Sequence, residues 1–376
     1  MLIAVPYIIF YILLLLLYLL KRNFNIDNRV ELFALFIYLV FYGLRGYIFT
    51  DCFQYLDFFS ALPKQSLSVL NYYHQYESGY VLLNVIVSKF TNNPFVFQFI
   101  MTLIDVCLLY VILKKETGRY FLFAFALLIP FWDGIQMNLF RNIKAILILF
   151  YGIRYIREKN IFKYLGCVIV ACLFHQSSIF FAPLYFFINK PLKKVMFGAC
   201  VCSIILYFLG ATGLISNIQY LGSLLGDKFT RTSVSFTEDA TNAGFTLGFI
   251  FRLMLMYILI KHYDIMARYN LCMLNCLFLY VCFFTAFNSL LIIRDRLSAL
   301  FALSAVIILP FYYERIRLKK EYYMKIILFI FMLGQVYVQH NNLGAVYENL
   351  ITGISDERSA MLRIMVAADV YNTNVR

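Results

Sequence analysis

Apolar residues run along this chain in blocks of about twenty, set apart by short polar punctuation. A helix rises about 1.5 Å per residue, so about 20 apolar residues cross a hydrocarbon core about 30 Å thick. The first block is 1–20, with Lys21 and Arg22 directly after it. No basic stretch precedes it and no small-residue cleavage site follows, so it reads as an anchor rather than a cleaved leader. Further blocks fall at 31–49, 95–113, 120–138, 139–156, 195–213, 245–261, 271–291, 297–313 and 322–338. With the irregular region 164–189, the pattern predicts an all-α polytopic integral membrane protein of about 12 transmembrane segments. The connections are short, so 1–376 reads as a single integral membrane domain. No repeat, low-complexity linker or glycine-rich phosphate loop interrupts it.

Composition supports this reading. Hydrophobic residues make up 62% and charged ones 14%, against about 45–50% and about 25% in soluble domains. The net charge of +13 does not mark a nucleic-acid binder, because such basic proteins are not this apolar. Of nine cysteines, all but Cys52 lie in apolar runs and none forms a CxxC pair, so neither a disulfide framework nor a zinc site is indicated.

Charge changes the picture more by its position than by its amount. If the amino terminus faces outward, the cytoplasmic segments are 21–31, 114–119, 154–163, 190–194, 261–268 and 314–325. They carry 20 of the 33 basic residues and 7 of the 20 acidic ones. The whole excess therefore falls on one side, as the positive-inside tendency requires. Attraction to anionic lipid headgroups is a secondary consequence. External loops then fall at about 50–94 and 214–244, and 339–376 is an external carboxy-terminal tail.

Two stretches resist a simple span. Residues 77–90 are half apolar, but a crossing there would invert the basic loop at 114–119, so they belong in the outer interface or re-enter. Region 164–189 has basic residues at both ends, Lys159 and Lys163 before it and Lys190, Lys193 and Lys194 after it. A hairpin of two half-helices meeting at His175-Gln176-Ser177-Ser178 keeps both clusters inside. Broken helices at membrane depth are tolerated where the freed backbone lines a polar cavity. One long tilted helix with His175 inside it is the rival.

Ionisable residues within spans are costly and mark function by default. Here they gather at the external helix ends: Arg45, Asp51, Tyr55 and Asp57, then Tyr76 and Glu77, then Arg141 with Lys144 one turn on. His175, Arg252 and Arg294-Asp295-Arg296 complete the set. Bland roles compete. Asp105 suits a structural partner of Arg252 or Lys144, and Asp295 can neutralise its flanking arginines. Yet Arg45, Arg141, Arg294 and Arg296 gather at one membrane face. Planar arginine forks suit phosphate oxygens, which points to a lipid carrying phosphate or pyrophosphate.

At these residues the chain resembles a family. Arg45 followed by Asp51-Cys52-Phe53-Gln54-Tyr55, then Tyr76-Glu77-Ser78-Gly79-Tyr80, is similar to the amino-terminal half of EpsG-like, Wzy-type polysaccharide polymerases. So are Met137-Asn138-Leu139-Phe140-Arg141, Tyr155-Ile156-Arg157-Glu158-Lys159, Lys163-Tyr164 and Ala171-Cys172-Leu173-Phe174-His175-Gln176-Ser177-Ser178. The ordered pieces cover about 40–190; beyond them only Arg294 and Arg296 before an apolar span resemble the family. Two positions depart from it: Asn142 where the family commonly has Gln, and Thr50 where it often has Gly.

The resemblance implies a membrane-embedded, GT-C-like glycosyltransferase of the bacterial inner membrane, with its active site facing the periplasm or exterior. Such polymerases join oligosaccharide repeats carried on undecaprenyl pyrophosphate, for O-antigen, capsule or exopolysaccharide, often with a chain-length regulator. No cofactor and no metal are expected; Arg141, Arg294 and Arg296 would hold the pyrophosphate instead. His175 and Glu77 are the candidate bases for the acceptor hydroxyl. Arg45 and Asp51 are assigned to sugar hydroxyls or to local structure. Tyr55, Tyr72, Tyr73 and Tyr76 offer faces for sugar stacking, although an interfacial aromatic belt also accounts for such tyrosines. A flippase for the same lipid-linked glycans and a polytopic O-acyltransferase are the alternative functions.

Overall fold

The computed structural model describes residues 3–24, 28–62, 76–209, 220, 246–288, 290–315 and 319–375. Among them the named elements are all helices, joined by isolated bridges at Arg45–Asn349 and Asn349–Gly353. The chain divides into two compact units, one of residues 1–187 and 336–372, the other of 188–335 and 373–376.

The first unit opens with α1 (Val5–Phe24), α2 (Arg29–Gly43), α3 (Asp51–Ala61) and α4 (Ser78–Ser88). It continues through α5 (Pro94–Thr117), α6 (Phe121–Asn138), α7 (Phe140–Arg157) and α8 (Ile161–Cys172), and then a 3₁₀ helix at Gln176–Phe186. Local chemistry sets the boundaries. Pro94 takes the first turn of α5, where its missing N–H costs nothing, and the Asn93 side chain accepts from Phe95 N at 2.9 Å. Gly118 ends α5 at φ +54°, a left-handed conformation suited to glycine, and the chain turns into α6.

Ion pairs tie together the basic ends of these helices. Lys21 Nζ and Lys114 Nζ lie 2.5 and 2.6 Å from the two oxygens of buried Glu31, and Arg157 pairs with Glu116. Loops 21–31, 114–119 and 154–163, grouped on one side by charge alone, thus meet at one end of the unit.

Region 164–189 is a hairpin. Helix α8 stops at Cys172, His175 is extended at φ −157° and ψ 119°, and the 3₁₀ arm returns along α8. Tyr164 Oη donates to Phe181 O at 2.6 Å, and the Tyr164 and Tyr185 rings lie 5.8 Å apart, so the two arms pack back to back. The second arm is 3₁₀ rather than α, with Pro183 inside it. A 3₁₀ helix rises about 2 Å per residue, so this arm reaches as far as the longer α-arm would.

The second unit holds α9 (Lys193–Leu209), α10 (Leu247–Lys261), α11 (Tyr263–Ala286), α12 (Leu291–Ala299), α13 (Leu303–Arg315) and most of α14 (Lys319–His340). Helix α11 is its axis and packs against α9, α10, α12 and α13. Asn275 Nδ2 donates to Ile188 O and Lys190 O at 2.8 and 2.9 Å, fixing the chain as it enters this unit. Among the described residues Arg252 forms no ion pair with a carboxylate. It donates to Gln335 Oε1 at 3.1 Å and Tyr280 Oη at 2.6 Å, and lies 3.9 Å over the Phe284 ring. The expected loop at 214–244 lies outside the described residues apart from Tyr220.

The chain then returns to the first unit, ending in α15 (Glu357–Val375). The expected external tail is a packed part of that unit. His340 Nε2 meets Asp133 Oδ2, with neither side chain exposed, and Tyr42 donates to the other Asp133 oxygen. The His340 ring stacks on Tyr7 at 3.9 Å. Gly46 N donates to Glu348 O at 2.8 Å, and Arg363 binds both Glu348 and Tyr47 O.

The segment count differs from the expected twelve or so. By length and composition, four helical stretches suffice to cross a membrane among the described residues: Val5–Phe24, Pro94–Asn138, Tyr263–Ala286 and Tyr323–His340. A fifth counts if Ile293–Ala299 and Leu303–Arg315, bent by 61°, form one broken span. The apolar blocks do become helices, but several are short. Helices α2 and α10 have 15 residues each and α13 has 13, about 20 Å of rise against about 30 Å of hydrocarbon.

Candidate functional site

The site forms where α4, α7 and the hairpin tip meet in the first unit. Gly79 makes the approach possible. Its N–H donates to Leu173 O at 2.8 Å, and a Cβ added there would stand 2.8 Å from that same oxygen. Only a residue without a side chain lets the start of α4 lie directly on the backbone of the hairpin tip. Glu77, the extended residue before α4, is thereby carried to His175.

Glu77 bridges two partners. Arg141 Nη1 donates to its Oε2 at 2.5 Å, and His175 Nδ1 lies 3.4 Å from its Oε1. The backbone N–H of Gln176 points to the same Oε1 at 3.4 Å. The three side chains are 24%, 11% and 16% exposed for Arg141, Glu77 and His175, so the cluster is shielded but not sealed. Burial raises the Glu77 carboxyl, but the His175 contact and the Arg141 charge outweigh it and hold the group down at about 2. Glu77 is therefore a carboxylate at neutral pH.

That charge faces the histidine: His175 Nδ1 is buried 3.4 Å from it and makes no hydrogen bond among the described residues. A proton on Nδ1 would face the carboxylate and leave Nε2 as the acceptor. Arg141 also interacts with Tyr55, and its Nε is buried with no hydrogen-bond partner among the described residues. Its guanidinium lies 5.2 Å over the Tyr76 ring. Tyr55 stacks on Phe140 at 5.1 Å, beside Tyr76 at 6.0 Å and Tyr80 at 5.7 Å, in an aromatic wall under the ion pair.

Of the residues expected at the site, Arg141, Glu77, His175, Tyr55 and Tyr76 are brought together. Arg45 lies away from that cluster's ion pairs. It is fully buried and donates to the carbonyls of Tyr42, Gln136 and Met137, beside the corner joining α6 to α7. Asp51 opens α3, where its backbone N–H donates to Asn138 Oδ1 at 3.1 Å. Tyr72 and Tyr73 lie outside the described residues. Arg294 and Arg296 belong to α12 of the second unit. There Arg294 Nε lies 2.7 Å from Asp295 Oδ1 and its guanidinium 4.8 Å over Phe284, while Arg296 is exposed. Asp105 has Lys144 as its partner, at 2.9 Å and fully buried, with Gln136 at 3.4 Å.

Sequence reasoning missed the Asp133–His340 contact and the Glu348–Arg363 clamp. An acidic residue deep inside the apolar block 120–138 was the available signal for the first. No local pattern announces its partner some two hundred residues away.

These features define a helical membrane protein whose arginine and histidine are held by one shared carboxylate. The model of the EpsG family matches residues 28–349, and the chain belongs to that family. The match begins at the foot of α2 and reaches the Asn349 bridge, so it extends well past the 40–190 region that carried the resemblance. Membership assigns the protein to membrane polysaccharide polymerisation. No curated protein and no solved structure matches the chain.

Proposed function

We propose that this protein is a membrane-embedded, GT-C-like glycosyltransferase that polymerises oligosaccharide repeats linked to undecaprenyl pyrophosphate, at the outer face of the bacterial inner membrane. The observation that carries the reading is the Arg141–Glu77–His175 cluster, inside the family-matched segment. Arg141 receives the donor pyrophosphate on the donors not engaged by Glu77. Its fork stabilises the charge that builds as the glycosidic bond breaks, an effect that matters only if the contact tightens in the transition state. His175 Nε2 takes the proton from the acceptor hydroxyl, whose oxygen bonds to the anomeric carbon as polyprenyl pyrophosphate leaves. Glu77 is a positioning residue that holds both groups. Tyr55 and Tyr76 line the sugar side, and Arg294 and Arg296 remain proposed phosphate ligands tested by their own substitution. A chain-length regulator is the expected protein partner.

Arg141→Lys keeps the charge but loses the planar fork, so it should abolish long polymer. His175→Gln keeps a hydrogen-bonding group that cannot accept the proton at neutral pH, and should do the same. Each should cost about 10²-fold or more in rate. The measurement is glycan ladder length beside an immunoblot of membrane fractions. Wild-type ladders from Arg141→Lys would remove the pyrophosphate assignment, and wild-type ladders from His175→Gln would remove the base. In a reconstituted system, lipid-linked oligomers should grow. Movement between leaflets without growth would identify a flippase, and gain of an acyl group an O-acyltransferase.

A further inference from the structure

At the opposite end of α7 from Arg141, thirteen residues or about 20 Å along the helix, lies a cleft of about 390 Å³. Leu108 of α5, Ile148 and Tyr151 of α7, and Gly166, Cys167 and Val170 of α8 line it. Its volume falls within the roughly 300–1,000 Å³ typical of sites for small molecules. Val170 is 45% exposed, next to Ile169 at 64%, so the cleft opens on an apolar flank of the helices.

The charged end is as distinctive as the apolar floor. Tyr155 and Lys163 also line the cleft, with Lys163 Nζ 5.7 Å from the Tyr155 ring centre. Arg154 lies 3.7 Å over Tyr151 and 4.5 Å over Tyr155, and donates to the Tyr155 hydroxyl. Nearby Arg157 is paired with Glu116. Neither Arg154 nor Lys163 has a carboxylate at ion-pair distance among the described residues, and Arg154 Nε is buried there without a hydrogen-bond partner. Two cations without counter-charge, set in tyrosine rings at the end of an apolar cleft, match a ligand with an anionic head and a hydrocarbon tail. Arginine and lysine suit its phosphate, and tyrosines suit the headgroup level. A neutral lipid leaves the cations unmatched, and a soluble anion leaves the floor empty.

We propose that this cleft binds one phospholipid of net negative headgroup, with its phosphate on Arg154 and Lys163 and one acyl chain between α5, α7 and α8. Native mass spectrometry of the full-length protein, released from detergent micelles doped with lipid, tests this. Phosphatidylglycerol should be retained about tenfold over phosphatidylcholine, and soluble glycerophosphate should neither bind nor compete. Arg154→Gln with Lys163→Gln should erase the preference. Gly166→Leu should block lipid retention while leaving both cations in place, because a Cβ at Gly166 enters open space. Lys194→Gln, at an exposed basic position of the second unit, should change nothing; an equal loss there would mean a diffuse basic surface and overturn the proposal. So would equal retention of the two lipids, competition by glycerophosphate, unchanged retention in Gly166→Leu, or stronger retention of a polyprenyl phosphate than of phosphatidylglycerol. Monodisperse elution of each variant separates lost binding from lost fold.

Discussion

At the scale of single residues, one carboxylate decides the arrangement of the site. Glu77 is shared by Arg141 and His175, and that sharing holds its carboxyl down at about 2 despite its burial. Because the folded-state value is depressed below the ordinary carboxylate range, its stabilisation is complete above about pH 4.5 and is lost as pH falls toward about 2. Wild type should therefore exceed Glu77→Gln in thermal stability by a constant margin, about 2–3 kcal/mol, from about pH 5 upward. The margin should shrink steadily below about pH 4. Thermal unfolding of the purified proteins across that range checks it, and a margin that grew on acidification would contradict the ion-pair account. The same substitution should shorten the glycan ladder, since both Arg141 and His175 lose their orienting partner.

At the scale of elements, the hairpin and α4 act as one piece. Charge at both ends of 164–189 already pointed to a break near His175, and the Tyr164–Phe181 hydrogen bond joins the arms. What the sequence could not supply is the seat of α4 on the hairpin tip, which depends on the backbone of Leu173 and the bare Cα of Gly79. Gly79→Ala should force α4 away from Leu173, at a cost of about 1–3 kcal/mol. It should also separate Glu77 from His175. The expected outcome is a collapsed ladder with protein still in the membrane, read by glycan electrophoresis and immunoblot. Ser78→Ala, one residue away on an exposed position, serves as the control and should leave the ladder intact. Normal polymer from Gly79→Ala would show that this close approach is not needed for function.

At the scale of the whole molecule, the basic loops predict an orientation, and ion pairs in the first unit bring three of those loops together. Glu31 gathers Lys21 and Lys114 at one end, while the Glu348–Arg363 clamp and the Arg141–Glu77–His175 cluster belong to helix ends assigned to the other. A reporter fused after Thr117 should read cytoplasmic and one after Asn341 external, by alkaline phosphatase and fluorescent-protein fusions. Reversed readings would put the Arg141 cluster on the cytoplasmic side and remove the proposed substrate face.

Membrane residence, helical class and family could be read from the chain, along with an orientation that the reporter fusions test. Each depends on sums or short ordered strings: apolar length, the partition of lysine and arginine, and the pieces around Asp51, Glu77, Arg141 and His175. Which polar groups meet depends instead on packing between distant segments. Tertiary structure chose Lys144 over Arg252 for Asp105, and it alone buried Arg45 on main-chain carbonyls, brought His340 to Asp133, and docked the carboxy-terminal segment on the first unit. The physical reason is that a buried charge must find a partner in three dimensions, and separation along the sequence does not limit which partner that is.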